Sequence, residues 1–555
     1  MAGMLAAATA LPVSLGIIAV LAPAIGLFPA LGFMSPSLEP ATIFLSTPGL
    51  GLAVLTSLTT GFGATLLALL FSFALVITFE TARQTRWLQR LAGPLIAVPH
   101  SAIAIGVLFL LAPSGWLMRL VSPGLTGFDR PPLWAIVPDG SGVVLSLGLL
   151  VKEVPFLVLV SLAALATLPV RQLLATGMSL GYQKSASWIY LVLPLVYRRI
   201  RLPVFAVLVF SLSVVDMPRL LGPTLPPPLA VLIVQGFEND ELAARLPASF
   251  GALIQIAVAA MSLLIWRAGE CLCGHAMASM RRHGYRLTRL QRWVTACAVM
   301  AMIPIAIGGA GLVAAALWSV AGPWFFPAAV PELLTFRFWL RIDSLAPALS
   351  ASLVTAAAAS FCAMALALLA IEFARIRGRI GIWQIWIFAP ILLPQAGFVP
   401  GLQTVLTMAW LEGTWLAMIW MHTLFILPYA WLILAPAADS LDRRHDQVAA
   451  SLGAGAWRRY RRVTLPMLAP AIITTLFVGI SVSVALYLPS LFAGAGRITT
   501  MTLEAVALAS GGSRAMAGVA TMLQLLIPIL AFATLQTMHR LSYGRFTGLR
   551  AGGLH

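Results

Sequence analysis

Charged residues are scarce in this chain of 555 residues. Asp, Glu, Lys and Arg make up only 10% of it, whereas soluble globular domains carry about 25%. Hydrophobic residues make up 60%, and the mean hydropathy is +0.96. A water-soluble fold needs a polar surface that this composition cannot supply, while a lipid bilayer accepts such a chain. The composition therefore excludes a soluble protein and indicates an integral membrane protein.

Signatures of nucleotide binding and of metal binding are also missing. A phosphate-binding loop needs Gly-Lys followed by Ser or Thr, but the two lysines, Lys152 and Lys184, follow Val and Gln. Cys271, Cys273 and His275 offer three ligands in a spacing unlike the common zinc patterns. The four cysteines lie in predicted membrane or cytoplasmic segments and suggest no disulfide framework. We predict no cofactor, no metal and no catalytic site, so any ATP hydrolysis that this protein depends on would belong to a separate subunit.

Long apolar segments recur along the chain. A helix needs about 20 apolar residues to cross the hydrocarbon core. The first 35 residues carry no charge and no basic leader, so we interpret the first segment as a retained span and not as a signal peptide. The fifth segment is short, and Leu221 is an alternative end for it. The twelve predicted spans are about 11–34, 50–78, 94–112, 143–167, 202–217, 249–266, 293–319, 348–371, 384–409, 414–437, 468–488 and 516–537.

The basic residues lie mostly on one side of this topology. Twelve spans place both termini on the same face, and that face collects 26 of the 35 basic residues. By the positive-inside rule it is the cytoplasmic face of a bacterial inner membrane. The net charge of +17 could also indicate nucleic-acid binding, but its distribution over short membrane loops favours contact with lipid, and we predict no nucleic-acid partner.

The sequence contains an internal repeat. Residues 57–60 (Ser-Leu-Thr-Thr) resemble residues 352–355 (Ser-Leu-Val-Thr) at an offset of 295, which Pro99 and Pro394 share. Further on, Ser-Leu-Gly recurs at an offset of 272, followed each time by a proline; these residues are Ser179, Leu180, Gly181 and Pro194, and Ser451, Leu452, Gly453 and Pro466. The offset changes because an outer loop near 113–142 is longer in the first copy. Two parallel six-helix repeats explain both offsets. We predict halves at 1–270 and 293–555, joined by a basic cytoplasmic linker at 271–292.

The second offset marks a motif that resembles the EAA loop of ABC importer permeases. Residues 175–194 read ATGMSLGYQKSASWIYLVLP, and residues 447–466 read QVAASLGAGAWRRYRRVTLP. Each places small residues before a glycine and closes on Leu-Pro, between the fourth and fifth spans of its half. Glycine permits a sharp turn between short helices there. We call residues 171–200 the first elbow and residues 440–467 the second. The glutamate typical of the family is replaced by Ala175 and by Gln447.

The resemblance implies a fold and a set of partners. It covers most of the chain and is greatest to fused permeases of the iron(III) and thiamine type, including YnjC-like permeases, on the stretches 152–156, 218–223 and 504–508. It implies a MetI-like permease fold in each half, one ATPase copy docked on each elbow, and a periplasmic binding protein that delivers a small solute, either thiamine-like or iron(III). The residues that would contact the ATPase are Ser179, Leu180, Gly181, Pro194, Ala449, Ala450, Ser451, Leu452, Gly453 and Pro466.

Four ionisable residues are candidates for the translocation pathway, because an intramembrane charge is costly and marks function by default. Lys152 and Glu153 fall near the middle of the fourth span, His422 falls in the tenth, and Asp216 falls at the outer end of the fifth. Each has a structural alternative. Lys152 and Glu153 could only neutralise each other or a neighbouring group, His422 could form an interhelical hydrogen bond, and Asp216 could lie at the interface with water.

Two other classes of protein remain as alternatives. A secondary transporter with six-plus-six parallel repeats would need ion-coupling groups in the membrane and would not need two matching elbows. A polytopic enzyme acting on lipid would need acids, histidines or a nucleophile clustered at one membrane face. The paired elbows favour the permease of an ATP-driven importer over both.

Overall fold

The chain folds into α-helices that cross the membrane repeatedly. The computed structural model describes residues 2–82, 84–134, 136–377 and 384–543, and no β-strand occurs in this part. Arg83, Arg379, Arg545 and Arg550, predicted to lie on the cytoplasmic face, fall outside the described residues. The helices are α1 (Ala2–Ala24), α2 (Glu39–Leu45), α3 (Leu50–Thr81), α4 (Thr85–Ala97), α5 (His100–Leu111), α6 (Trp116–Val121), α7 (Val143–Leu165), α8 (Val170–Ser179), α9 (Lys184–Ser187), α10 (Leu193–Ser213), α11 (Asp216–Leu221), α12 (Leu229–Phe237), α13 (Arg245–Arg282), α14 (Leu290–Val320), α15 (Ala346–Arg377), α16 (Gln384–Leu392), α17 (Gln395–Met408), α18 (Trp415–Asp439), α19 (Arg443–Ser451), α20 (Ala456–Arg459), α21 (Leu465–Ala485), α22 (Leu488–Gly494), α23 (Met501–Ser510) and α24 (Arg514–Tyr543).

A minority of these helices span a bilayer, and most of the rest are short. Within the described ranges nine helical stretches are long and apolar enough to cross it, and the bent pair α16 and α17 provides a tenth. The predicted fold class, an all-α polytopic membrane protein, is confirmed. The remaining two predicted spans correspond to α1, whose described apolar part is only Thr9–Ala24, and to α10.

The bounds of the first and fifth predicted spans were wrong. The first was placed at 11–34, but α1 ends at Ala24, and Gly26 turns the chain with a φ of +80°. The fifth was placed at 202–217 with Leu221 as an alternative end, but α10 runs from Leu193 to Ser213. Hydropathy rejected its first turns because they carry arginines, and it could not detect the break at Val214, where the backbone is extended.

Two predicted spans, 94–112 and 384–409, are each broken into two helices. The break falls at Pro99 between α4 and α5, and at Pro394 between α16 and α17, whose axes differ in direction by 113°. The residue before a proline is disfavoured in the helical conformation, and Val98 is accordingly extended. The two prolines are the pair that shares the offset of 295, so the repeat carries this break into both copies.

The repeat also positions short helices at the end of each fifth span. The first N–H of α12, on Leu229, donates to the Ser57 hydroxyl at 2.9 Å, and the first N–H of α23, on Met501, donates to the Ser352 hydroxyl at 2.7 Å. Both hydrogen bonds are buried and satisfy donors that a helix start leaves unpaired. The two serines are 295 residues apart in the sequence, and their two partners are 272 residues apart. The same tertiary contact is therefore present in each copy, and it joins a residue of the first offset to a residue of the second.

Each copy contributes a helix that packs against the other copy through glycine. Gly16 of α1 meets Gly401 of α17, and Gly311 of α14 meets Gly106 of α5. A Cβ added to Gly401 would lie 2.0 Å from the Gly16 carbonyl oxygen, and one added to Gly311 would lie 2.8 Å from the Gly106 carbonyl carbon. Small residues allow such close helix approach in membranes. Gly16 and Gly311 differ by 295 residues, as do Gly106 and Gly401, so the two crossings are equivalent.

The long 113–142 loop of the first copy is bonded to the second copy. Arg119 of α6 is buried and donates to the backbone carbonyls of Phe325 at 2.8 Å and Trp324 at 3.3 Å. Its guanidinium also lies 4.8 Å from the centre of the Trp324 ring, a cation–π distance. The extra 113–142 segment therefore connects the two copies through the contacts of Arg119.

Candidate functional site

The first elbow is a helix–turn–helix closed by a glycine. At the end of α8, the Gly181 N–H donates to the Met178 carbonyl at 2.9 Å, and the Tyr182 N–H donates to the Gly177 carbonyl at 3.1 Å. This is the Schellman pattern of helix termination, which requires a left-handed residue. Gly181 has a φ of +80° and meets that requirement.

The second elbow repeats this geometry. At the end of α19, the Gly453 N–H donates to the Ala450 carbonyl at 2.9 Å, and the Ala454 N–H donates to the Ala449 carbonyl at 3.0 Å. Gly453 has a φ of +76°. Within each elbow, five residues of wide helical turn follow the glycine turn, at Trp188–Val192 and at Tyr460–Thr464.

Prolines follow these wide turns. Pro194 is the second residue of α10 and Pro466 the second residue of α21, and neither has an N–H to donate to the preceding turn. In the first copy, Arg281 donates to the carbonyl of Tyr190, four residues before Pro194, at 3.2 Å. The Leu-Pro of the motif therefore marks where each elbow passes into a membrane helix.

The tips of both elbows are open to a partner. Leu180 is 64% exposed and Leu452 is 81% exposed. Two protruding leucines at equivalent positions form matching apolar contact points. Five other predicted contact residues are exposed as well: Ser179, Gly181, Ala450, Ser451 and Gly453. The remaining three, Ala449, Pro194 and Pro466, are half-buried. Ala175 and Gln447, which replace the family glutamate, are also exposed.

The two elbows differ in what lies beside them. In the first, Arg286 of the linker donates to the Gly181 carbonyl at 3.4 Å, and Tyr190 donates its hydroxyl to the Tyr285 carbonyl at 3.0 Å. A Cβ on Gly453, in contrast, would meet nothing within 4 Å. The linker therefore supports the first elbow at its glycine turn, a contact that the turn at Gly453 lacks.

A cavity of about 680 Å³ lies among the helices of both copies. Its wall on α7 runs from Lys152 to Ala163, toward the end of the helix that leads into the first elbow, and its wall on α21 begins at Thr474. Val215 and Leu488, which are both buried, also line it. Most of the wall is apolar or aromatic. The structure thus brings three of the four pathway candidates, Lys152, Glu153 and Asp216, to one cavity.

Lys152 closes the break between α4 and α5. Its ammonium donates to the carbonyls of Ile96 at 2.6 Å, Val98 at 2.5 Å and Leu95 at 3.4 Å. These carbonyls lose their helical partners because Pro99 interrupts the helix, and a cation at a helix C-terminus is also favoured by the helix dipole. Lys152 and Glu153 form no salt bridge with each other in the described part of the chain, although their charges still attract each other.

The two carboxylates of the cavity lack strong partners. Glu153 is 4% exposed, and its nearest ion-pair contact is with His100, whose Nε2 lies 3.9 Å from Oε1. Asp216 is 3% exposed, and its Oδ2 has no hydrogen-bond partner in the described part of the chain. Arg219 follows Asp216 by three residues, but its guanidinium donates to Glu238 and to the Tyr487 hydroxyl.

His422 does not reach the cavity. It is buried, with Nδ1 2.7 Å from the Ser483 hydroxyl and Nε2 3.1 Å from the Ser490 hydroxyl. These bonds tie α18 to α21 and α22, which is the interhelical role weighed as its alternative.

Sequence reasoning did not single out three polar residues of the cavity wall, His100, Tyr429 and Tyr487. His100 directly follows Pro99, so the proline of the repeat could have drawn attention to it. Tyr429 follows Pro428 on α18 as Phe156 follows Pro155 on α7, so this shared dipeptide could have pointed to it. Tyr487 was overlooked, although Pro489 and the predicted end of the span at 488 both mark this end of α21.

The Cys271, Cys273 and His275 set gains no support as a metal site. Both cysteines are exposed on α13, and the His275 Nδ1 lies 2.7 Å from the Cys271 carbonyl oxygen. In the part of the chain that the structure describes, no three His, Cys, Asp or Glu side chains converge in a way that could hold a metal ion.

A duplicated helical membrane protein with a shared central cavity and two exposed elbows has the build of a transport protein. The chain is 31% identical over 475 residues to the inner membrane ABC transporter permease protein YnjC of Escherichia coli (strain K12), covering 85% of this chain and 84% of YnjC. It is 28% identical over 214 residues to the putrescine transport system permease protein PotI of the same strain, covering 36% of this chain and 75% of PotI. No profile of a known protein family matches.

The chain therefore belongs to the ABC transporter permeases. It is a multi-pass inner-membrane protein and a permease subunit, not itself an enzyme. This agrees with the resemblance found in the two elbow motifs.

Proposed function

We propose that the chain is the complete transmembrane part of a binding-protein-dependent ABC importer, with two permease halves fused in one polypeptide. The halves are residues 1–270 and 293–555, and residues 271–292 link them. Both termini lie in the cytoplasm. A periplasmic binding protein delivers a small solute, and two copies of a separate ATPase dock on the elbows and drive alternating access.

The observation that carries this proposal is the matched pair of elbows. Each ends a short helix with the same two hydrogen bonds around a left-handed glycine, and each presents an exposed leucine at its tip. A symmetric pair of motor subunits requires two equivalent docking points at one membrane face. A secondary transporter has no use for such a pair.

The resemblance, the relatives and the size of the cavity limit the range of candidate solutes. The resemblance to fused permeases suggests thiamine-like or iron(III) substrates, and the partial relative PotI is named for putrescine transport. Cargo of low molecular weight suits a cavity of about 680 Å³.

Co-purification of the ATPase tests the proposal. Gly453→Val places a β-branched residue at a φ of +76°, which such residues avoid, and should unfold the turn of the second elbow. Gly455→Val is the matched control, because Gly455 has a φ of −63° and open space around it. We expect the first variant to insert normally but to lose most ATPase binding and transport, while the control keeps both. Equal ATPase binding by the two variants would contradict the docking role.

A further inference from the structure

The cavity contains two buried carboxylates, and no lysine or arginine among the described residues forms a salt bridge with either of them. Glu153 and Asp216 both line it, and Asp216 Oδ2 has no hydrogen-bond partner among the described residues. A buried charge without a partner is costly, and proteins normally pair it or ligate it. An unpaired carboxylate oxygen on a residue that lines a cavity is therefore an argument for a ligand that brings a positive charge.

The nearby cations are already engaged. The three N–H donors of Lys152 point to the carbonyls of the α4 terminus. Arg219 is held by Glu238 and Tyr487. An oxyanion entering the cavity would thus find two carboxylates and no free cationic donor from either residue, which argues against sulfate or phosphate as cargo.

The rest of the wall suits an organic cation better than a bare metal ion. Aromatic rings line it, from Phe156, Phe210, Phe425, Phe477, Tyr429 and Tyr487. Aromatic faces attract alkylammonium and other organic cations, and they also cover the apolar part of such a molecule. Iron(III) would need several oxygen ligands converging at one point, whereas this wall is mostly apolar.

We infer that the permease carries a small organic cation, an amine or a cationic heterocycle, whose positive charge is received by Glu153 and Asp216 in this aromatic cavity. This inference rests on the proposed function, since it takes the cavity to be the pathway of the importer. Of the two substrate types proposed above, the inference keeps thiamine-like compounds and excludes iron(III). It also adds aliphatic amines.

Ligand binding to the purified full-length permease in lipid nanodiscs tests the inference. Putrescine, thiamine, ferric citrate and sulfate are titrated separately by calorimetry. We expect putrescine or thiamine to bind and the other two to give no saturable signal. Asp216→Asn and Glu153→Gln should each weaken binding by roughly tenfold or more, because each leaves the bound charge unpaired. Asp216→Glu should retain part of the affinity. Glu241→Gln, at an exposed outer position, is the matched control and should bind like the wild type.

Several results would overturn the inference. These are binding of ferric citrate or sulfate in preference to the cations, no binding of either cation, or unchanged cation affinity in both carboxamide variants. Gel filtration of each variant shows whether it is folded. If one of the two carboxamide variants misfolds, the other still tests the inference. ATPase co-purification from the same preparations separates the two claims, because an ATPase that binds while no cation does refutes the substrate class alone.

Discussion

Replacing Gly311 by alanine tests how closely the two copies interlock. Its Cβ would lie 2.8 Å from the Gly106 carbonyl carbon and 3.0 Å from the oxygen, whereas ordinary contact begins at 3.4 Å. The deficit is 3.4 − 2.8 = 0.6 Å. Both partners are backbone atoms, which cannot rotate away as a side chain can, so α14 and α5 must separate. Overpacking of this kind costs about 1–3 kcal/mol.

Gly309→Ala provides the matched control on the same helix. Gly309 lies two residues away on α14, and its Cβ would meet nothing within 4 Å. Alanine favours a helix over glycine by about 1 kcal/mol in exposed positions, so this variant should be neutral or slightly more stable. Gly401→Ala should be the most damaging of the three, since its Cβ would lie 2.0 Å from the Gly16 carbonyl oxygen.

Thermal unfolding of the purified permease in one detergent measures these differences. We expect the midpoint to fall by several degrees for Gly311→Ala and further for Gly401→Ala, with no fall for Gly309→Ala. Equal midpoints for Gly311→Ala and Gly309→Ala would refute the claim that glycine crossings hold the two copies together.

Two further predictions concern buried hydrogen bonds. Lys152→Met keeps the length of the side chain but leaves the carbonyls at the end of α4 unsatisfied, at about 1–3 kcal/mol for each lost partner, so unfolding should occur at a lower temperature; an unchanged midpoint would show that Lys152 does not close the break. Ser57→Ala and Ser352→Ala should each cost about 1 kcal/mol, by removing equivalent caps from α12 and α23. Their losses should be similar and should add in the double variant, and a strongly unequal pair would contradict the equivalence of the two contacts.

Much of the fold could be predicted because the bilayer imposes simple rules. Apolar length located most of the spans. The two offsets between repeated residues correctly paired Pro99 with Pro394 and Ser57 with Ser352, although the contacts those residues make were not foreseen. A glycine after small residues correctly indicated a sharp turn at Gly181, because few other residues adopt a positive φ.

The contents of the cavity were harder to predict, because they depend on tertiary contacts. Hydropathy treats the residues around Pro99 as one apolar run, so it did not reveal the break there. Without the break, the hydrogen bonds from Lys152 to the end of α4 could not be foreseen. His422 and Glu153 are both ionisable residues within a span, yet one bonds to two serines and the other lines the cavity. Only the position of α21 and α22 separates the two cases, and no local pattern encodes it.

The location of the two elbows is the most direct test of the account. Ser179→Cys and Ser451→Cys, each made in a chain whose four natural cysteines are replaced by serine, are treated with a membrane-impermeant thiol reagent. We predict that both react in inside-out vesicles and not in intact spheroplasts, and that the bound ATPase protects both. Reaction of the two cysteines from opposite faces, or no protection by the ATPase at either, would contradict the claim that paired elbows couple this permease to a motor.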